Sequence, residues 1–482
     1  MPVVLPLISL PLLASPAIYV IGRTLPYHSV ARTTSLLLLT GAWVLFGLLT
    51  LDVQTTGPVV IGTITLQADG LSILMIFLAL LLGTAAVLFS GPDMAAATHV
   101  EKYYAILFVT IGAIIGLVCT TDLFNLWVWF ELMAVSSYTL VAFYSERNTP
   151  LEAAIKYLVQ TAVGSGLVLF AIALILAQNG TLALDGLHTD TPLLTVIACS
   201  LLLIGFGVKI AIFPMYTWLP DAYAAAPTGV TALLSGAVSV AGLVALMRAL
   251  TALSDLPATL STLLIIFGLL NIFAGNILAL SQQQIKRMLA YSSVGHTGYI
   301  LLALGIGLHS GQSAGIQAGL LHVLNHGIMK VLAFLAVGAL IFVLQKDHQL
   351  TINELGGMGW RYPLIGVALS LALLSLAGIP PLAGFMSKWQ IFAAGLATEQ
   401  PGIVAAITFA ALNSVFSLAY YLPVINALYR QEHLPTDINP PLAMRLPVLM
   451  LAAGVVILGL LPMLANSLTQ PASTAILKLA GG

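Results

Sequence analysis

Residues 70–92 contain no charged side chain, and comparable runs recur from one end of the chain to the other. About 20 consecutive apolar residues are what an α-helix needs to cross the hydrocarbon core of a bilayer, whereas membrane-barrel strands are about half as long and alternate. These runs are long and do not alternate, so they read as transmembrane helices. Composition agrees: 60% of the 482 residues are hydrophobic and 7% charged, against about a quarter charged in a soluble domain. A water-soluble protein is excluded. The fold class expected is an all-α polytopic membrane protein.

The remaining totals narrow the chemistry. Cys119 and Cys199 both fall in apolar runs and cannot by themselves supply an iron–sulfur cluster or a Cys-rich zinc site. Neither is expected in a structural disulfide. No Walker A loop, dinucleotide fingerprint or HExxH is present, so no cofactor, metal or nucleotide-driven step is expected in this chain. A net charge of −1 gives no argument for a nucleic-acid partner. The N-terminus is apolar from Val3 to Ile21 with no cation before Arg23, the reverse of a signal peptide's basic leader. It reads as a retained first span.

Breaks at charged or Gly/Pro-rich positions give about fourteen spans: 3–21, 33–51, 69–90, 104–120, 122–144, 157–177, 193–215, 227–247, 260–281, 288–308, 315–344, 363–388, 402–428 and 446–468. Positive charge tests the count, because Lys and Arg concentrate in short cytoplasmic loops. The first loop and every second one after it hold Arg23, Arg32, Lys102, Arg147, Lys156, Lys286, Arg287, Lys346, Arg361, Arg430 and Arg445, while the opposite loops hold Arg248 and Lys478. The expected location is therefore the cell (inner) membrane, with both termini on the non-cytoplasmic side. Three cations fit no loop: Lys209, Lys330 and Lys388 fall inside spans.

An ionisable group at membrane depth costs at least about 2.5–3.5 kcal/mol and usually marks an ion or proton pathway. Snorkelling or a structural ion pair is the competing account for each lysine. Glu131 lies midway along the fifth span, where a carboxylate needs a cation or must become neutral, and Lys209 is its natural partner. Such a pair holds both members charged, and separating them would release the lysine's proton. In the eleventh span, His322, His326 and Lys330 are spaced i, i+4, i+8 and share a helical face. That stripe is a candidate proton wire, because imidazole takes a proton on one nitrogen while giving one from the other. A zinc site there lacks a third ligand in the same turn pattern. His296 in the tenth span either extends the stripe or makes a structural hydrogen bond. Pro214 and Pro220 follow Lys209, and Pro380-Pro381 with Gly384 precede Lys388. Interior prolines break helices, and paired broken helices point to transporter ion sites.

Phe130-Glu131-Leu132, Gly207-Val208-Lys209 with Phe213-Pro214, Trp218-Leu219-Pro220-Asp221-Ala222, Ala226-Pro227, Gln284-Ile285-Lys286-Arg287 through Ser292-Ser293, the His322/His326/Lys330 face and Gly378-Ile379-Pro380-Pro381 with Gly384-Phe385 and Lys388 occur in this order. Together they resemble the proton-conducting antiporter-like subunits of respiratory complex I, Mrp-type sodium/proton antiporters and membrane-bound hydrogenases. The His322–His326 and Gly384–Lys388 stretches look more like the Mrp and hydrogenase branch. The resemblance implies fourteen helices with two inverted five-helix repeats, each holding a broken helix: 1–103 as helices 1–3, 104–250 and 251–428 as the repeats, and 429–482 with helix 14. It implies that Glu131 pairs with Lys209, that Lys330 is the central relay and that Lys388 is the terminal one. The family also carries a lysine or histidine in the eighth span. Here Val230 to Met247 holds no ionisable residue, and Ser235 and Ser239 are the nearest polar candidates for a water relay. The implied partners are homologous antiporter-like subunits, small membrane subunits and a redox arm with iron–sulfur proteins, with H+ as cargo and Na+ as a further candidate. An Mrp-type Na+/H+ antiporter chain and a complex I or hydrogenase pump chain are the alternatives within the family. A stand-alone secondary transporter and a non-conducting scaffold are the alternatives outside it.

Overall fold

The computed structural model describes residues 3–25, 28–52, 59–61, 64–95, 97–185, 187, 192–253, 257–346, 350–431 and 438–479. Helices α1 (Val4–Thr24) and α2 (His28–Asp52) lead into a small antiparallel hairpin, β1 (Val59–Ile61) and β2 (Ile64–Leu66), with Val59 opposite Leu66. Then come α3 (Gly70–Asp93), α4 (Val100–Cys119), α5 (Leu123–Val141), α6 (Asn148–Asn179), α7 (Pro192–Lys209) and α8 (Leu219–Ala225). The second part holds α9 (Thr228–Thr251), α10 (Pro257–Leu280), α11 (Ile285–Ser310), α12 (Ser313–Val343), α13 (Pro363–Ala377), α14 (Ala383–Leu396), α15 (Pro401–Tyr429), α16 (Leu442–Leu460) and α17 (Asn466–Leu479). Among the described residues twelve helices are long and apolar enough to cross a membrane. The shorter apolar helices α7 and α13 each stop at a break and resume as α8 and α14, which brings the crossings to the expected fourteen.

Local chemistry sets several helix starts. Asp69 accepts from the Ser72 amide while Ser72 answers toward the Asp69 backbone, a capping box opening α3. Asp122 accepts from the Asn125 amide at the start of α5. Both carboxylates satisfy amides that a helix start leaves unpaired and face its positive dipole end.

The centre of the molecule is α9, α11 and α12, each about 94% buried over its most apolar stretch, against 28–39% for α1, α2, α6, α10 and α16. The outer helices turn side chains such as Leu13, Leu37 and Val163 outward, as lipid contact requires. Helix α9 passes close to α3 and α12: a Cβ on Gly236 would sit 2.6 Å from Leu82 and 2.7 Å from Val331. At that point, over Leu234–Val238, α9 widens into a π-turn, a distortion that recurs at functional sites.

Two expectations change. Lys286, expected in a loop, belongs to the first turn of α11 and is buried, because Gln284 is tied to Thr351 and the helix starts earlier. Arg248 is likewise buried within α9, where it bonds both Asp69 oxygens at 2.8 Å and the Val118 carbonyl at 2.9 Å. Helix α17, which follows the last expected span, packs Thr469, Ala472 and Ile476 against α3 and α12.

Candidate functional site

A broken membrane helix must satisfy the backbone groups that the break frees, and the two breaks do so differently. After Lys209 the chain turns through Ala211, at φ 56°. Asn271 of α10 accepts from the Phe213 amide at 2.7 Å and donates to the Ala211 carbonyl at 3.1 Å, and the Trp218 indole donates to the Val208 carbonyl at 2.7 Å. The expected break at Pro214 therefore begins right after Lys209, the last residue of α7. The second break, at Pro380 and Pro381, follows Gly378, whose φ of 90° suits a helix C-cap. Asn325 of α12 donates to the Ala383 carbonyl at 2.7 Å, and Ser375 accepts from the Gly384 amide at 3.0 Å.

Lys388 completes this seal. Its Nζ donates to the Leu376 carbonyl at 2.9 Å, the Ala377 carbonyl at 3.2 Å and Ser414 Oγ at 2.9 Å, and it lies 4.8 Å from the centre of the Tyr299 ring. The ammonium thus occupies the electronegative end of α13, where helix carbonyls have no partners of their own. Lys330 is buried in α12 and donates to the Leu289 carbonyl at 2.8 Å and Ser292 Oγ at 2.7 Å. Ser292 in turn bonds Tyr421 of α15.

Lys209 is buried as well, but its ammonium turns to Tyr157 of α6, bonding the hydroxyl and lying 4.6 Å from the ring centre. The direct Glu131–Lys209 contact expected from the sequence is not formed. Glu131 is half-buried on α5, its Oε1 closed off and without a hydrogen-bond partner, and it acts on Lys209 through its field. Tyr157 stacks on Trp218 at 3.9 Å, and Trp218 meets Tyr223 edge-on. Tyr223 bonds Ser239 across 2.9 Å.

Ser239 and Ser235 open onto a small cavity, together with Tyr223, Ser293, Thr297 and His326. It has room for about one water molecule. On its far side the histidines gather. His296 Nδ1 and His322 Nε2 share a hydrogen bond of 3.1 Å, and His322 Nδ1 meets Ser387 Oγ at 2.9 Å, one residue from Lys388. His326 lies 5.3 Å from the His296 ring, and both its nitrogens are buried without partners. So His296 joins the stripe. Among the described residues no group of His, Cys, Asp or Glu is arranged to hold a metal ion.

The structure thus joins His296 to His322 and, through Ser387, to the neighbourhood of Lys388, and sets His326 on the cavity beside the π-turn of α9, while Glu131, Lys209 and Lys330 keep surroundings of their own. Sequence reading missed Tyr157, Tyr223, Ser293, Ser387 and Ser414, hydroxyls that link the charged groups; a Ser beside Lys388 and a Tyr one residue after Lys156 were legible only as isolated polar positions. It also missed Asn271, which lies far from the break in sequence.

Fold and site define a polytopic membrane protein with buried lysines and histidines joined by hydroxyl groups across its centre. The sequence pattern described as NADH:quinone oxidoreductase/Mrp antiporter, TM, matches residues 120–417, and the chain belongs to that family. It is an antiporter-like membrane subunit of the complex I, Mrp and hydrogenase type. NADH-quinone oxidoreductase subunit N 2 of Syntrophobacter fumaroxidans is 35% identical over 386 residues, covering 78% of this chain and 79% of that one. F(420)H(2) dehydrogenase subunit N of Methanosarcina mazei is 32% identical over 439 residues, covering 86% of each. Among solved structures, a chain of the archaeal membrane-bound sulfane sulfur reductase superposes with a TM-score of 0.89 at 28% identity, over 100% of this chain and 99% of that one.

Proposed function

We propose that this subunit moves protons along the line Glu131, Lys209, Ser239 and Ser235, His326 with Lys330 one helical turn away on α12, His296, His322 and Lys388, within a multisubunit redox complex. One observation carries the reading: Lys209, Lys330 and Lys388 are all buried, and among the described residues none of them has a carboxylate within ion-pair distance. Unpaired ammonium groups at membrane depth are costly, and hydroxyls and carbonyls that can hold a lysine in either protonation state are what a relay needs. The line has two kinds of link. Between Lys209 and His326 it runs through Tyr223, the serines and the small cavity, in place of a titratable residue in the Val230–Met247 stretch of α9. Between His326 and Lys388 it runs ring to ring and through Ser387. Residues 104–250 and 251–428 form the two repeats in this reading, each contributing one broken helix.

The basic loops support a cytoplasmic side for the Lys156, Arg287 and Lys346 end, with both termini opposite. Named relatives in redox complexes favour partners that include homologous antiporter-like subunits, small membrane subunits and a redox arm with iron–sulfur proteins. Sodium as a second cargo is an outcome to be tested.

The test is transport by the intact complex in membrane vesicles carrying Lys209→Ala or Lys330→Ala. Each is expected to abolish coupled proton movement while the complex still assembles, and Glu131→Gln to do nearly the same. Full pumping in either lysine variant would remove that residue from the path. Affinity capture of the wild-type subunit followed by mass spectrometry identifies the driving partners: iron–sulfur or flavin subunits support the redox assignment, and sister antiporter-like chains with only small membrane proteins would replace it by cation/proton exchange.

A further inference from the structure

At the basic face of the molecule, away from the line just described, four buried polar atoms on four helices lack hydrogen-bond partners: Arg32 Nε, Asp93 Oδ2, Tyr104 Oη and Thr228 Oγ1. They belong to one place. Asp93 feels the Thr228 backbone, Tyr104 feels the charges of both Arg32 and Asp93, and the Arg32 guanidinium lies against Gly91, two residues before Asp93. Buried polar groups are nearly always satisfied by protein or ordered water, so a gathering of four points to water held at this spot. Lys286 faces the same place. It is buried, its Nζ donates to the Ala226 carbonyl at 3.2 Å, and the opposing charge that acts on it is Asp93. Asp93 itself is half-buried at the end of α3, and its Oδ2 is closed off without a partner.

We propose that Asp93 and Lys286 form a proton port joining the basic face of the protein to Lys330. This rests on the relay reading above and adds its entry. Two helices act as rulers for the distance inward. On α11, Ser292, which bonds Lys330, lies six residues beyond Lys286, or about 9 Å along the axis. On α12, Gly338 packs against Thr228, and Lys330 lies eight residues deeper, or about 12 Å. Leu289 occupies the intervening turn of α11, and its carbonyl accepts from both Lys330 and Ser293. The gap is of the order of three hydrogen-bonded steps. A proton from solution binds the Asp93 carboxylate, forming an O–H bond. It then passes through water to the inner hydroxyls and Lys330, each transfer breaking one O–H or N–H bond as the next forms. Lys286 keeps the deprotonated Asp93 from being stranded as a lone buried anion. The competing account is a pair that only holds α3 and α11 together.

The decisive material is the whole complex in vesicles that expose the basic loops, with Asp93→Asn, Lys286→Met and the double variant. If the pair is structural, the double variant removes both of its members together and pumps at close to the wild-type rate, which would overturn the port. If it is the port, the double variant assembles and still loses pumping on the order of 100-fold, as loss of a positioned proton carrier does. A measurement on the unaltered complex stands independently of variant assembly: a water-soluble carbodiimide added from the basic side should attach to Asp93 by mass spectrometry, and an unlabelled Asp93 would equally overturn the proposal. Lys330→Ala in the same vesicles separates the two readings. Loss there with normal pumping in the double variant defeats the port alone, whereas normal pumping with Lys330→Ala defeats the relay.

Discussion

Tyr157→Phe removes a single oxygen from a fully buried side chain and leaves its ring, so the stack on Trp218 at 3.9 Å and the edge contact with Tyr138 survive. What goes is the hydrogen-bond partner of the Lys209 ammonium. A hydrogen bond to a charged group is worth about 1.5–3 kcal/mol, and every 1.4 kcal/mol is about a factor of ten in population. The charged form of Lys209 therefore becomes about 10- to 150-fold less populated relative to the neutral form. Its cation–π contact, 4.6 Å from the ring centre, is retained and keeps the effect toward the lower end. The expected result is an assembled complex whose proton pumping in inverted vesicles falls by roughly tenfold. Redox turnover measured alongside tells coupling from electron flow. Wild-type pumping by Tyr157→Phe would show that Lys209 does not depend on this hydroxyl.

Ser239→Ala deletes the partner of Tyr223 and one polar wall of the central cavity, so pumping should drop while Ser239→Thr, which restores a hydroxyl, recovers it; equal rates for both variants would count against the water link. Gly236→Ala should lower the melting temperature of the detergent-extracted complex, since overpacking costs about 1–3 kcal/mol and the new methyl meets Leu82 and Val331 below 3 Å; an unchanged melt would mean that α9 can move aside. In the loop before α13, a hydrogen bond from Lys346, with further bonds from Thr351, lowers the Glu354 carboxyl from 4.5 to about 2. Because the folded value is the depressed one, its contribution is fully present above about pH 4.5 and disappears as pH falls toward 2. The melting temperatures of wild type and Glu354→Gln should therefore differ at neutral pH and converge on acidification; a gap that persists at pH 2 would mean that the carboxylate is not its source.

The apolar runs, their lengths and the alternation of basic loops follow from hydrophobic transfer and charge placement, which are properties of single segments. For that reason fourteen crossings, the breaks near Pro214 and Pro380, and the isolation of Lys209, Lys330 and Lys388 at membrane depth were legible in the chain before any packing was known. Spacing within one helix likewise put His322, His326 and Lys330 on a common face. Whether two groups on different helices touch is decided by how those helices pack, and no segment carries that information. The Glu131–Lys209 pair illustrates this: both residues are where the sequence puts them, yet the rotation of α6 offers Lys209 a tyrosine first. Lys286 and Asp93 show the converse, since each reads as an ordinary charge at a helix end and becomes a shared buried site only when α3, α9 and α11 converge. Sequence by itself determined which groups are forced into the bilayer; tertiary structure decided their partners, because a buried hydrogen bond requires atoms within about 3 Å and only the packed helices bring distant positions that close.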